Sequence, residues 1–248
     1  MPKNIAIDQE VFAPRSLVGL DPSTPAGPFL RTKVRQVQKR SVKVDLPPDP
    51  LAVSHWIGTS KIALRLGVLI VRIGDYKEAE LIEPLCKSVL HFCRMLVPGN
   101  LEVIEVRTVR ELIYFWNALH AGFEQVILIG HGDRGHIYFG SRAVSANALT
   151  TLFSRPAPAP KEFMSLCCQT GQQPFAKAFS ASQACSAFVA PFHSVHGVTA
   201  SQFCQAYLTR RVLEACSVGI AFNQARKILL GTASFRLWQN GKLKAGPK

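Results

Sequence analysis

Residues 126–171 read VILIGHGDRGHIYFG (126–140), SRAVSANALTTLFSRPAPAP (141–160) and KEFMSLCCQTG (161–171). Two short apolar runs, Val126 to Ile129 and Phe163 to Leu166, each stop abruptly. The first stops at Gly130-His131-Gly132, the second at Cys167-Cys168-Gln169-Thr170-Gly171. Apolar runs of this length, bounded by Gly, predict buried parallel strands. In open α/β sheets ligands sit at the carboxyl ends of such strands. Neighbouring strands lie about 4.8 Å apart, so as neighbours these two would bring an imidazole and a thiol to one substrate carbonyl.

Those residue types suit nucleophilic catalysis. A thiol attacks as the thiolate, and an adjacent imidazole takes its proton and returns it to the leaving amine. Glycine beside the histidine lets a backbone N–H approach a developing oxyanion. The predicted dyad is therefore His131 and Cys168, with the N–H groups of Gly132 and Cys168 as the oxyanion hole. His136 is the rival base, but it stands among Ile137, Tyr138 and Phe139, the setting of a structural histidine. Asp133, two residues beyond His131, is expected to face solvent, and no third catalytic member is assigned. Strand alternation aims one of the adjacent thiols into the sheet and the other at its rim.

On these residues the sequence resembles the caspase-like cysteine peptidases, in particular their CHAT, or separase-like, branch. The usual signatures of that branch are a His-Gly and an Ala-Cys-x-Thr-Gly. His131-Gly132 matches the first, and Cys168-Gln169-Thr170-Gly171 matches the end of the second. Cys167 stands where the family usually has Ala, and Gly130 where Ser is common. The resemblance implies His131 as general base and Cys168 as nucleophile at the rim, with Cys167 a small buried hydrophobe. It also implies a three-layer α/β sandwich with a mostly parallel central sheet and helices on both faces. For function it implies a cysteine endopeptidase that cuts a specific protein under the control of an activating or inhibitory partner, in bacterial defence or programmed cell death. No cofactor and no metal is implied. Arg72 and Asp75 follow the first strand, where this fold builds its specificity pocket, and Cys167 is a further candidate for that pocket; Arg72 would favour an acidic residue before the cut and Asp75 a basic one. The alternative is a catalytically silent binding module with the same fold.

The chain has 248 residues, 48% hydrophobic and 18% charged, which suits one α/β domain with an appendage rather than a disordered chain. No run is long and apolar enough to span a membrane. The first residues carry acids early and show no secretory pattern. With that, seven cysteines predict free thiols in a reducing cytoplasm. The net charge of +13 favours an acidic partner, nucleic acid or an anionic protein surface, although no aromatic residues interleave with the basic run as they do in single-strand binders. His193 and His196, with Cys185 and Cys204, lack the spacing of a zinc site; that loop is expected to border the cleft.

The order along the chain is strand, helix, strand, helix, strand, the doubly wound pattern. Strands are predicted at 66–71, 101–106, 126–129, 163–166 and 186–190, with a further strand at 234–238 turned by Asn240-Gly241. Helices are predicted at 77–96 with Pro84 in a first turn, after an N-cap at Thr108, at 146–154 after Ser145, at 199–216, and at 217–230. Residues 1–60 read as a basic, Pro-rich arm and 61–248 as the peptidase-like domain. The arm's Val34, Val37, Val42 and Val44 could add an edge strand.

Overall fold

Where successive strand residues are both apolar, each face of the sheet must be covered, and here helices cover both. The computed structural model describes residues 5–20, 29–46, 56–59, 62, 67–74, 79–97, 100–155 and 159–247. Asp75, the 98–99 turn and residues 156–158 of the proline connector lie outside them. In chain order come β1 (Glu10–Pro14), β2 (Phe29–Val37), β3 (Ser41–Val44), β4 (Trp56–Gly58), β5 (Val68–Ile73), α1 (Ala79–Leu96) and β6 (Leu101–Val106). There follow α2 (Val109–Leu119), β7 (Gln125–Ile129), β8 (His136–Phe139), β9 (Arg142–Ser145), α3 (Ala146–Phe153), β10 (Lys161–Ser165) and α4 (Gln173–Ser180). The last are β11 (Cys185–Pro191), α5 (Gly197–Leu208), α6 (Val218–Ala225), β12 (Phe235–Gln239) and β13 (Lys242–Ala245).

Seven strands form the main sheet in the order β13-β12-β11-β10-β7-β5-β6. The run from β6 to β11 is parallel, and β12 and β13 are antiparallel. Alternation along each strand splits its side chains between two cores. Leu69, Val71, Val126, Leu128, Phe163 and Phe188 pack under α2, α3 and α4. Val68, Ile70, Ile127, Ile129, Met164 and Val189 pack under α1, α5 and α6. The fold is thus a three-layer α/β sandwich with a mostly parallel central sheet. The first core is aromatic: Trp116, Phe153, Phe163, Phe179 and Phe188 form a chain of ring contacts with centroids 4.6 to 5.1 Å apart. No helix among the described residues is long and apolar enough to cross a membrane, and all seven cysteines are unbridged thiols.

Local chemistry sets several boundaries as expected. The Thr108 side chain accepts from the Glu111 N–H and caps α2, and Ser145 does the same for α3 through Ala148. Asn240 and Gly241, both at positive φ, turn β12 into β13. Other expectations are corrected. Pro84 lies inside α1 rather than in its first turn. The long helix ends at Leu208 and passes into a π-helical turn, Thr209–Leu213. α6 stops at Ala225, well short of residue 230.

The N-terminal region differs most from its reading as an extended arm. β1 to β4 form a four-stranded antiparallel sheet of their own. Val11, Ala13, Val34, Val42, Val44 and Ile57 point to one side of it and make a separate core with Val18 and Ile62. Apolar residues at every second position require that pairing.

Candidate active site

β7 and β10 are direct neighbours, with Met164 opposite Ile127 and Ser165 opposite Leu128. The Leu166 N–H then donates to the Leu128 carbonyl at 2.8 Å, so both strands end at one level. Gly130-His131-Gly132 leaves one tip and Cys167-Cys168 leaves the next.

The two cysteines separate by face. Cys167 is fully buried among the side chains under α2 to α4. Burial pushes its thiol up to about 12, although Ser165 and the Gly130 N–H bond to the sulfur. Cys168 is half-buried. It lines a cleft of about 710 Å³ on the opposite face together with Gly130, His131 and Leu166. α1 supplies Glu80 and Ser88 to that cleft, and the start of α5 supplies His196, Gly197 and Ser201. The Cys168 sulfur lies 4.0 Å from the Val195 carbonyl oxygen.

A dense set of bonds holds the cysteine loop. The Thr170 hydroxyl, fully buried, bonds to Ser165 Oγ and the Cys167 carbonyl, both at 2.8 Å. Gln169 has φ 60, a left-handed turn that throws the chain sharply away from β10. The Gly171 N–H donates to the Pro191 carbonyl at 2.8 Å, and Trp238 Nε1 donates to the Gly171 carbonyl at 3.1 Å.

Gly132 is pressed against this loop. A Cβ there would stand 2.9 Å from Cys167 Cβ, 2.9 Å from Thr170 Cγ2 and 3.1 Å from the Cys168 carbonyl oxygen. Those neighbours are buried or backbone, so they have little room to give. Gly132→Ala is expected to cost about 1–3 kcal/mol of stability and to force the two tips apart. Urea melts and cysteine labelling check both effects.

The hairpin β8–β9 fixes the histidine tip. Tyr138 N–H donates to the His131 carbonyl, and Asp133 N–H donates to His136 O. Asp133 is engaged within its own hairpin. Its carboxylate accepts from the Gly135 and His136 N–H groups at 2.7 and 2.8 Å, and from the Tyr138 hydroxyl. Partial burial works against its charge, but these donors hold its pKa below the ordinary value. His136 lies beside Asp133, 3.4 Å from it, and does not line the cleft.

The specificity assignments change. Arg72 Nη1 is paired with Glu105 Oε1 at 2.6 Å, because the β5–β6 register sets the two residues side by side. It does not line the cleft. Cys167, closed into the other core, does not line it either, and Asp75 is outside the described residues. Among the described residues, the charged group in the cleft wall is Glu80, which sequence reasoning missed. It also missed a polar cluster between α1 and α5, where Ser88 and Ser201 share a 2.8 Å hydrogen bond and Gln205 Nε2 donates to both. Ser201, three and seven residues before buried Cys204 and Leu208, carried the signal: a polar residue on an apolar stripe.

His196 borders the cleft and caps α5, its Nδ1 accepting from the Val198 N–H at 3.3 Å. No cluster of His, Cys, Asp or Glu with metal-binding geometry occurs among the described residues.

No protein-family model matches the chain, and a comparison with curated proteins finds no match.

Proposed function

We propose that the protein is a cysteine endopeptidase in which Cys168 is the nucleophile and His131 the general base. One observation carries the reading: the two residues line a single cleft at the carboxyl tips of adjoining parallel strands, the place where open α/β sheets bind their ligands. In the proposed reaction His131 takes the thiol proton as sulfur attacks the scissile carbonyl. The tetrahedral oxyanion is met by the Gly132 and Cys168 N–H groups. Its collapse breaks the C–N bond, the amine leaves with the proton held by His131, and a thioester remains. Water, deprotonated by His131, attacks the thioester and frees the acid and the thiol. No cofactor or metal enters these steps.

The likeness of His131-Gly132 and Cys168-Gln169-Thr170-Gly171 to the CHAT-type motifs supports the same reading. It also favours a protein substrate and a regulating partner, in a defence or cell-death setting within the cytoplasm. Profiling a diverse peptide library by mass spectrometry, with Cys168→Ala as control, tests the proposal. Cleavage that the control lacks supports it. A cysteine that alkylates normally in a chain that cuts nothing would support the silent binding module instead.

Glu80 gives this cleft an acidic wall, which favours substrates with Lys or Arg near the scissile bond. Glu80→Gln is expected to reduce kcat/KM for such peptides roughly tenfold and to leave neutral peptides unaffected. Equal losses for both would assign Glu80 a structural role.

A further inference from the structure

The outer face of the β1–β4 sheet carries what the linear sequence did not reveal, aromatic rings set among its cations. With Val11, Ala13, Val34, Val42 and Val44 turned inward, the alternate residues face solvent. Register then places Phe12 opposite Arg31 and Trp56 opposite Lys43, with exposed Lys33 two residues along the inner strand β2 from Arg31. Trp56 is 43% exposed, a large apolar ring on a face whose other side chains, Phe12 apart, are mostly polar.

We propose that this face binds single-stranded nucleic acid. Every base has a π-face, so exposed rings bordered by cations bind strands with little regard to sequence. A paired duplex hides its π-faces and would leave Trp56 without a partner. The charge balance favours a polyanion but not overwhelmingly. Arg31 is paired with Glu10, and Arg35 with Asp8 and Asp45. Lys33 lies near Glu10 and Asp45. Lys43 on the face, with Lys39 and Arg40 at the exposed β2–β3 turn, meet no carboxylate among the described residues. The remaining excess is local, within a chain of net charge +13. The site is independent of the peptidase reading.

The three tryptophans make the test specific. Trp116 and Trp238 are 0% and 5% exposed, so a ring stacking on the outer face quenches Trp56 alone. The full chain is titrated with oligothymidylate of about sixteen nucleotides, following tryptophan emission and, with a labelled oligonucleotide, anisotropy. Saturable quenching is expected, with affinity falling as salt rises by about 0.7 log units per log unit of salt for each phosphate neutralised. Trp56→Ala is expected to weaken binding roughly tenfold and Trp56→Phe to restore most of it. Lys33→Gln with Lys43→Gln should flatten the salt slope by about 1.4 while the quench persists. Cys168→Ala should bind as the parent does. Binding without quenching, equal affinity for heparin or duplex DNA, or no binding at low salt would each overturn the proposal.

Discussion

Replacing Cys168 by alanine is expected to lower peptide hydrolysis by roughly three orders of magnitude or more, while Cys167→Ala keeps turnover and lowers stability instead. The two thiols are chain neighbours, yet the sheet separates them. Cys167 is sealed in the aromatic core, its thiol pushed up to about 12 by burial, so it stays protonated and without nucleophilic character throughout the neutral range. Removing its sulfur leaves a small cavity at a cost of about 1–2 kcal/mol. Cys168 lines the cleft with His131. Iodoacetamide at about pH 7.5 should therefore modify Cys168 and spare Cys167 in the folded chain. The sign follows from the direction of the shift: a thiol with a raised pKa forms thiolate only in strong alkali, so Cys167 labelling should lag until the fold opens. His131→Ala should lower turnover with Cys168→Ala, and far less than additively in combination, because the two act as a unit. His196→Asn, which keeps a capping side chain on α5, should retain most turnover. Activity that survives Cys168→Ala and disappears with Cys167→Ala would transfer the nucleophile to the buried thiol and sink the assignment.

Much of this was legible because it is local. Apolar pairs such as Val126-Ile127 and Phe163-Met164 announce strands covered on both faces, and Thr108 and Ser145 announce helix starts through their own hydroxyls. The placement of the Gly-His-Gly and Cys-Cys-Gln-Thr-Gly turns at strand ends follows from the same pattern. What the sequence hid depends on distant partners. Lys43 and Trp56 become neighbours only once β3 and β4 pair, and proline-rich spacers between the strands disguise a sheet as an arm. A register irregularity between Val34 and Gln36 further blurs the alternation in β2. Arg72 looked like a pocket residue because its strand position is right, but the residue opposite it on β6 is a glutamate. The long helix stops short of its predicted end for the same reason: the chain widens into a π-helical turn where Arg211 bonds to Glu162 on β10, a partner 49 residues away.

That partner carries the second large effect. Glu162, the second residue of β10, stands directly opposite Gln125 at the start of β7, so the two strands that present Cys168 and His131 are tied at their other ends. Gln125 Nε2 donates to Glu162 Oε2 at 2.8 Å, Tyr207 OH at 3.1 Å and Arg211 Nε at 2.9 Å, while Arg211 Nη2 bonds to Oε1. Burial alone would raise the Glu162 pKa. The Arg211 charge, then the hydrogen bonds from Arg211, Gln125 and Tyr207, outweigh it and leave the pKa lowered. A carboxyl with a lower pKa folded than unfolded binds fewer protons in the native state. Its contribution is complete above the unfolded value of about 4.3 and is lost as pH falls through the folded one. Glu162→Gln leaves the Arg211 guanidinium without its counter-charge and is expected to cost about 3–5 kcal/mol at neutral pH, seen as a urea midpoint lower by about 1 M or more. The gap between parent and variant should narrow as the pH is taken below about 4. Replacing both members, Glu162→Met with Arg211→Met, removes the stranded charge and should recover most of the loss. A Glu162→Gln variant as stable as the parent at neutral pH would mean that β7 and β10 are held in register by their apolar faces alone.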